Sequence, residues 1–294
     1  MPESARTPVL DIAYEAHGLR GGTPVFLMHG FPDDARAYDG CIADLVDAGC
    51  WVVVPYMRGY GGTQYRSPAT LRSGEQAAFG ADLRDLMDAL GVEKAILGGY
   101  DWGGRAACAV SALWPERVIG LVSINGYNIQ DIAASGRPAD PEQELRHWYQ
   151  WYFNTERGRA GLAANRHALC RLLWKLWSPN WQFSEAKYAA TAISFDNPDF
   201  VETVIHSYRH RHRNAEGDPA YAPIEALLAR QPTISVPTIV LHGEADGVGP
   251  VAGSANDARH FSGRYERRVI PVAGHFLPHE APGEMVRAVR DLLG

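Results

Sequence analysis

The sequence predicts an α/β protein in which helices cover both faces of a mostly parallel sheet and a helical cap is inserted into the sheet. Short apolar runs alternate with segments of helical periodicity, which is the pattern of βαβ units. The predicted strands are 24–28, 51–54, 94–97, 118–124, 237–242 and 267–272. The predicted helices of this layer are 34–48, 76–90, 103–114 and 284–293. These strands are almost wholly apolar, as expected of parallel strands that are buried on both faces.

A helical, aromatic segment separates the fourth predicted strand from the fifth. It contains five of the eight tryptophans, which are Trp148, Trp151, Trp174, Trp177 and Trp181. A segment of this kind between two halves of a sheet is typical of a lid whose apolar inner face closes a pocket. We therefore predict an α/β core formed by residues 1–126 and 229–294, and a helical cap formed by residues 127–228.

The composition excludes several classes of function. The chain has 294 residues, 46% of them hydrophobic, and a formal net charge of −6 without a basic patch, so we expect no nucleic-acid binding. No apolar run approaches the roughly 20 residues of a membrane span, and the N-terminus has no signal-peptide core. The four cysteines lack metal-site spacing, and we expect Cys50 and Cys108 to be buried free thiols. A cytoplasmic protein without metal or membrane partner is the expectation.

Asp101 lies at the sharpest turn that the sequence predicts. The segment 96–105 (ILGGYDWGGR) has a strand, a glycine-permitted turn and a helix, and Gly99 and Gly103 flank the aspartate at the spacing of a nucleophile elbow. Small residues there allow a strained turn and a close approach of helix to strand. The position predicts that Asp101 is a nucleophile.

A carboxylate nucleophile favours a particular kind of substrate. It can displace a leaving group at a saturated carbon, and water can then cleave the resulting alkyl ester at its carbonyl group. A serine that attacked the same carbon would form an ether, which water would not release. Asp101 therefore indicates epoxides or alkyl halides rather than ordinary esters.

Hydrolysis of such an ester needs a general base and a group that orients it. His275 follows a late predicted strand, where a catalytic histidine would lie at the carboxyl edge of the sheet. Asp246 follows the preceding strand, so the chain order is nucleophile, acid, histidine. Glu244 is the nearby competitor for the role of the acid. The other possible acid position, after strand 118–124, contains Asn125 and no carboxylate.

The oxyanion of the hydrolytic step needs two backbone donors. We predict the N–H of Trp102, at the start of a helix, and that of Phe31, in the loop after an early strand. The bond between Phe31 and Pro32 is a candidate for a cis peptide. Arg58, in another turn at the same edge, is predicted to form a structural ion pair.

Four segments of the chain together resemble the α/β-hydrolase-fold epoxide hydrolases. They are HGFP at 29–32, GYDWGG at 99–104, Asp246, and GHF at 274–276. The resemblance implies a small-molecule substrate, no cofactor, and two cap tyrosines that hold and protonate the epoxide oxygen. The segments YQWYFN at 149–154 and YR at 208–209 assign these roles to Tyr149 and Tyr208.

We also predict that aromatic side chains line the substrate pocket. The candidates are Trp102, Trp151, Tyr152 and Phe276, and they suggest an apolar or aromatic substituent on the epoxide. Tyr152 is the residue most easily confused with Tyr149, since it belongs to the same motif.

Two other functions stay open at this stage. A haloacetate or haloalkane dehalogenase would use the same scaffold, and Arg105 matches the second of two arginines that bind carboxylate in fluoroacetate dehalogenases. Trp102 stands in place of the first arginine, and Tyr149-Gln150 occupies the place of their halide-binding His-Trp pair. The other alternative is a non-catalytic receptor, which would not need all of Asp101, Asp246 and His275.

Overall fold

The computed structural model describes residues 2–294 and contains a nine-stranded mixed sheet. The strands are β1 (Glu3–Arg6), β2 (Leu10–His17), β3 (Thr23–Met28), β4 (Cys50–Pro55), β5 (Gln64–Tyr65), β6 (Ala95–Gly99), β7 (Val118–Ile124), β8 (Thr238–Gly243) and β9 (Tyr265–Ile270). Their order is β1-β2-β4-β3-β6-β7-β8-β9, with β5 paired to β2. Strands β3, β4 and β6–β9 pair in parallel, whereas β1, β2 and β5 form antiparallel pairs at one end.

Helices cover the two faces of this sheet. Those that connect core strands or end the chain are α1 (Asp39–Asp47), α2 (Gln76–Ala89), α3 (Asp101–Leu113), α10 (Leu277–Glu280) and α11 (Pro282–Leu293). Helix α3 packs on β6, β7 and α2, while α11 packs on β7, β8 and α1. Every residue of β4, β6 and β8 is buried, which explains the continuous apolar sequence of those strands.

A group of helices lies between β7 and β8. These are α4 (Pro141–Arg146), α5 (Trp148–Phe153), α6 (Glu156–Trp177), α7 (Glu185–Ala192), α8 (Phe200–Arg211) and α9 (Ala222–Leu228). Helix α6 bends at Asn165, whose φ of −131° is non-helical. The inner sides of α5, α6 and α8 contribute Tyr149, Trp177 and Tyr208 to the buried core.

The α/β class is confirmed, and one local feature was not expected from the sequence. Strands β1 and β2 form an antiparallel pair that the sequence did not indicate, because partly exposed polar residues interrupt their apolar pattern. Between β8 and β9 the chain forms short 3₁₀ turns, 251–254 and 257–260. Among residues 2–294, none of the helices combines the length and apolarity that crossing a membrane requires.

Candidate active site

Asp101 is the first residue of α3 and has a φ of +50°, in the left-handed region. This conformation projects the carboxylate from the turn between β6 and α3, and it costs about 1–2 kcal/mol for a residue other than glycine. Its neighbours make the turn possible: a Cβ on Gly99 would overlap with the Gly103 backbone, and one on Gly103 would overlap with the Met28 carbonyl. The elbow predicted from the sequence is therefore formed by close approach of β6, α3 and β3.

The loop after β3 contacts the nucleophile directly. The backbone N–H of Phe31 donates to Asp101 Oδ1 at 2.8 Å. A Cβ on Gly30 would lie 2.5 Å from the Asp101 Cβ, so only glycine permits this approach. The Phe31–Pro32 peptide is cis. Trp102 is the second residue of α3, where backbone N–H groups have no intrahelical acceptor, and its role as second donor stays a prediction.

His275 and Asp246 meet at the carboxyl edge of the sheet. His275 Nδ1 lies 3.0 Å from Asp246 Oδ2, while Asp246 Oδ1 accepts the N–H groups of Val248 at 2.7 Å and Gly249 at 3.1 Å. His275 Nε2 is buried and has no partner among residues 2–294. Glu244 is exposed, so the structure pairs the histidine with Asp246 rather than with its competitor.

The pairing changes the pKa values of both groups. Burial alone would lower the pKa of His275, but the charge and hydrogen bond of Asp246, together with the charge of Asp101, outweigh burial and raise it. Burial would raise the pKa of Asp246, but His275 and the backbone donor of Val248 outweigh it and lower that pKa. The carboxylate is thus ionised beside the imidazole, as a group that orients a general base should be.

Asn125 is a site residue that the sequence analysis considered only for its lack of a carboxylate. It lies just after β7 with a φ of +75°, and its Nδ2 donates to Asp246 Oδ2, the oxygen that also contacts His275. Asn tolerates the left-handed region better than most residues. The end of β7 therefore supplies a donor to the acid. Its position, a polar residue directly after a parallel strand, is the one feature of the sequence that could have indicated a role in the site.

The predicted tyrosines lie side by side within the electric field of Asp101. The rings of Tyr149 and Tyr208 are edge to face with centroids 5.4 Å apart. Burial and the Asp101 charge raise the pKa of Tyr149 to about 12, and burial, Tyr149 and Asp101 raise that of Tyr208 well above its ordinary value. Tyr149 Oη accepts from Gln150 Nε2 at 3.0 Å, whereas Tyr208 Oη is buried without a partner in residues 2–294. Both hydroxyls are therefore protonated at neutral pH.

The aromatic candidates occupy different places. Trp102 is fully buried and stacks on Phe31 and Phe79. Phe276 is buried among tryptophans next to His275. Trp151 is 40% exposed and lines an open cavity, while the hydroxyl of Tyr152 packs against Gly161 of α6.

Trp177 and Arg105 complete the surroundings. Trp177, which was not among the predicted site residues, contacts the rings of Tyr149 (4.9 Å) and His275 (5.2 Å). Arg105 is 7% exposed, and its Nη2 lies 3.6 Å from Asp101 Oδ2. Arg58 forms its predicted ion pair with Asp82, at 2.6 and 2.7 Å. No group of three or more His, Cys, Asp or Glu side chains within 2–294 is arranged to hold a metal ion.

Comparisons with known proteins agree with this geometry. A family model described as the α/β hydrolase fold matches residues 23–282. Epoxide hydrolase A of Mycobacterium tuberculosis is 29% identical over 311 residues, which cover 94% of this chain and 92% of that protein. A crystal structure from Klebsiella pneumoniae, provisionally named an epoxide hydrolase, is 43% identical with a TM-score of 0.96 and covers 99% of this chain and 96% of its own. Epoxide Hydrolase A from Mycobacterium thermoresistibile is 26% identical with a TM-score of 0.74, over 100% and 98% of the two chains. The family predicted from the sequence is confirmed.

Proposed function

We propose that this chain, which belongs to the α/β-hydrolase-fold family, hydrolyses epoxides to vicinal diols through an alkyl ester of Asp101. The observation that carries the proposal is the aspartate at the elbow, held by the Phe31 N–H in the same site as the His275–Asp246 pair. Similarity to proteins named epoxide hydrolases supports the substrate class. We also propose that helices α4–α9 form the lid over this site.

The first step is a displacement at carbon. An oxygen of Asp101 attacks a ring carbon, the carbon–oxygen bond of the ring breaks, and its electron pair goes to the epoxide oxygen. Tyr149 or Tyr208 donates a proton to that oxygen, because an alkoxide is a poor leaving group unless it is protonated. The raised pKa of Tyr149, about 12, keeps the phenol protonated until the alkoxide forms.

The second step is hydrolysis of the ester. His275 removes a proton from water through its unpaired Nε2, and the hydroxide adds to the carboxyl carbon of Asp101. The Phe31 N–H, and by prediction that of Trp102, stabilise the oxyanion. Its collapse breaks the ester bond, and the imidazolium of His275 gives its proton to the departing alkoxide. The second proton of the water is left on the carboxyl group of Asp101 and passes to the tyrosinate, which restores the phenol and the ionised aspartate. The sum is one epoxide and one water converted to one diol.

The ester intermediate provides the test. His275→Gln should form the ester and fail to hydrolyse it, so that mass spectrometry after addition of styrene oxide finds the protein heavier by one substrate. Asp101→Asn should show no added mass and no diol. In a single turnover in ¹⁸O water, the wild-type diol should contain the unlabelled oxygen from Asp101. Normal turnover by His275→Gln, or ¹⁸O in the first diol, contradicts the mechanism.

Arg105 favours a second candidate, a haloacid dehalogenase, because its guanidinium lies beside the nucleophile. Halide release from chloroacetate without diol from any epoxide would support that candidate. The Tyr149→Phe/Tyr208→Phe variant separates the two, because removal of both phenols should abolish epoxide opening, whereas halide departure needs no proton. Equal losses in both reactions would contradict the proton-donor role.

A further inference from the structure

An open cavity of about 390 Å³ is connected to the nucleophile through Arg105, which lines the cavity and lies 3.6 Å from Asp101. Arg105 and Arg211 line it, together with Gln150. Each arginine follows a predicted reacting group by one helical turn, Arg105 after Asp101 on α3 and Arg211 after Tyr208 on α8. Residues three or four apart share one face of a helix. The two helices that carry the reacting groups therefore bring two cations to the same cavity.

Neither guanidinium donates a hydrogen bond to another group of residues 2–294. Arg211 has no hydrogen bond or ion pair within residues 2–294, and the nearest carboxylate oxygen to Arg105 is that of Asp101, at 3.6 Å. The other arginines of this range that are not exposed donate a hydrogen bond or form a close ion pair, as Arg58 does with Asp82. Buried charges are normally paired in this way. Arg105 is thus a buried cation and Arg211 a half-buried one, and the N–H groups of both are free to bind a ligand in the cavity.

The carboxylates that line the cavity form no ion pair with Arg105 or Arg211, and the exposed Arg137 adds a third cation to the lining. Glu144 accepts from Trp151 Nε1 and from the Ala139 N–H, and Asp131 accepts from the Ala134 N–H. Burial and the Arg211 charge lower the pKa values of His147 and His212 to about 4, so both are neutral at neutral pH.

The proposed reaction increases the excess of positive charge around Arg105 and Arg211. Burial and the nearby Arg105 lower the pKa of Arg211, which shows that its charge is unfavourable in this place. Asp101 is the anion that these two cations share. Formation of the alkyl ester neutralises Asp101, so two cations would remain without a counter-charge unless the substrate supplies one.

We propose that the substrate is an epoxide bearing a carboxylate, which Arg105 and Arg211 bind in this cavity. This inference rests on the proposed function. A planar carboxylate matches the fork of a guanidinium and accepts two of its N–H groups. Because Arg105 lies within 3.6 Å of Asp101, the carboxylate belongs on a carbon near the ring, as in a 2,3-epoxy acid. The anionic group is an addition to the apolar or aromatic substituent expected from the sequence, which the phenyl ring of a 3-phenyl epoxy acid would supply.

A pair of matched substrates tests the proposal. 3-Phenylglycidate carries the carboxylate, and 3-phenylglycidamide has the same shape without the charge. We expect the wild type to favour the acid at least tenfold in kcat/KM. Arg211→Met should lower kcat/KM for the acid on the order of 10–100-fold, the value of a charged hydrogen-bonded contact, and change that for the amide less than threefold. Arg213→Met, at an exposed arginine just beyond the same helix, should alter neither.

Binding without turnover separates this inference from the function. We expect 3-phenylpropionate to quench tryptophan fluorescence of the wild type, with affinity that falls with added salt and is lost in Arg211→Met. Weaker binding of the propionate than of benzylphosphonate would contradict the choice of a carboxylate. Hydrolysis of the amide as fast as the acid, or equal losses for both in Arg211→Met, would overturn the subsite while leaving the epoxide hydrolase proposal intact. Binding of 3-phenylpropionate without formation of diol from either epoxide would support the carboxylate subsite and contradict the epoxide hydrolase proposal.

Discussion

The carboxylate of Asp246 that contacts His275 is also held by one side chain and two backbone N–H groups. Asn125 donates to Oδ2, and the backbone N–H groups of Val248 and Gly249 donate to Oδ1. The carboxylate therefore has a fixed orientation before substrate arrives. Catalytic groups need such support, because a small displacement of a general base costs much of its rate. The site thus consists of the side chains that react and of the hydrogen-bond donors that hold them in place.

We predict that loss of the Asn125 amide slows hydrolysis of the ester. Asn125→Gly removes the donor and tolerates the φ of +75°, so backbone strain cannot explain its effect. A hydrogen bond to a charged group contributes about 1.5–3 kcal/mol, which corresponds to roughly 10–100-fold in rate. Rapid-quench kinetics should show this loss in the hydrolytic step and leave ester formation nearly unchanged. An equal loss in both steps would contradict the positioning role.

The charge of Asp101 also controls the protonation of His275. Asp101 is one cause of the raised pKa of His275, and the ester has no such charge. We therefore predict that Asp101→Asn, which imitates the neutral ester, lowers the pKa of His275 relative to the wild type, as measured by ¹⁵N NMR of the imidazole. Because His275 must be neutral to act as a base, hydrolysis should be lost as the pH falls through the lower value. An unchanged pKa in Asp101→Asn would show that the two groups are not coupled.

The elbow depends on how closely α3 approaches the sheet. A Cβ on Gly103 would overlap with the carbonyls of Met28 and His29, which are backbone atoms and cannot rotate away. Overpacking of this kind typically costs about 1–3 kcal/mol. The position of the nucleophile is thus determined by a helix–strand contact as much as by the turn itself.

Gly103→Ala should therefore lower the free energy of unfolding by about 1–3 kcal/mol, measured by urea denaturation. Gly283→Ala is the matched control, because no atom lies within 4 Å of a Cβ at that position, in the first turn of α11. Alanine is the better helix former, so we expect the control to be unchanged or stabilised by up to about 1 kcal/mol. Similar destabilisation by both substitutions would contradict the steric explanation.

The elements and residues that could be predicted from sequence are those with local signals. Buried parallel strands show continuous apolar runs, and the glycines around Asp101 mark the elbow. Asn125 was missed because it contacts Asp246 across 121 residues and has no motif of its own. Arg211 has no local signal of a functional role, since only the packing of α8 and α3 brings it to the cavity that Arg105 also lines. Side chains that meet only through tertiary packing leave no pattern along the chain.

At the scale of the whole molecule, one buried arginine joins the sheet layer to the inserted helices. Arg58 follows β4, pairs with Asp82 on α2, donates to the Ser73 carbonyl at 2.9 Å, and donates to Tyr221 Oη at 3.0 Å just before α9. Its guanidinium is inaccessible to solvent. The contact thus connects three parts of the chain that are far apart in sequence.

Replacement of Arg58 alone should lower the free energy of unfolding much more than replacement of Arg58 and Asp82 together. Arg58→Met leaves Asp82 buried without its counter-charge, which typically costs about 3–5 kcal/mol, whereas Arg58→Met/Asp82→Leu removes both charges and should recover most of that loss. Burial already raises the pKa of Asp82, and Arg58 opposes that effect. In Arg58→Met the folded state should therefore hold a proton that the unfolded state releases near pH 4, so its stability should fall as the pH rises from there. Urea denaturation between pH 4 and pH 8 measures both effects. Equal stability of the single and double variants, or a single variant that gains stability with rising pH, would show that Asp82 does not depend on Arg58.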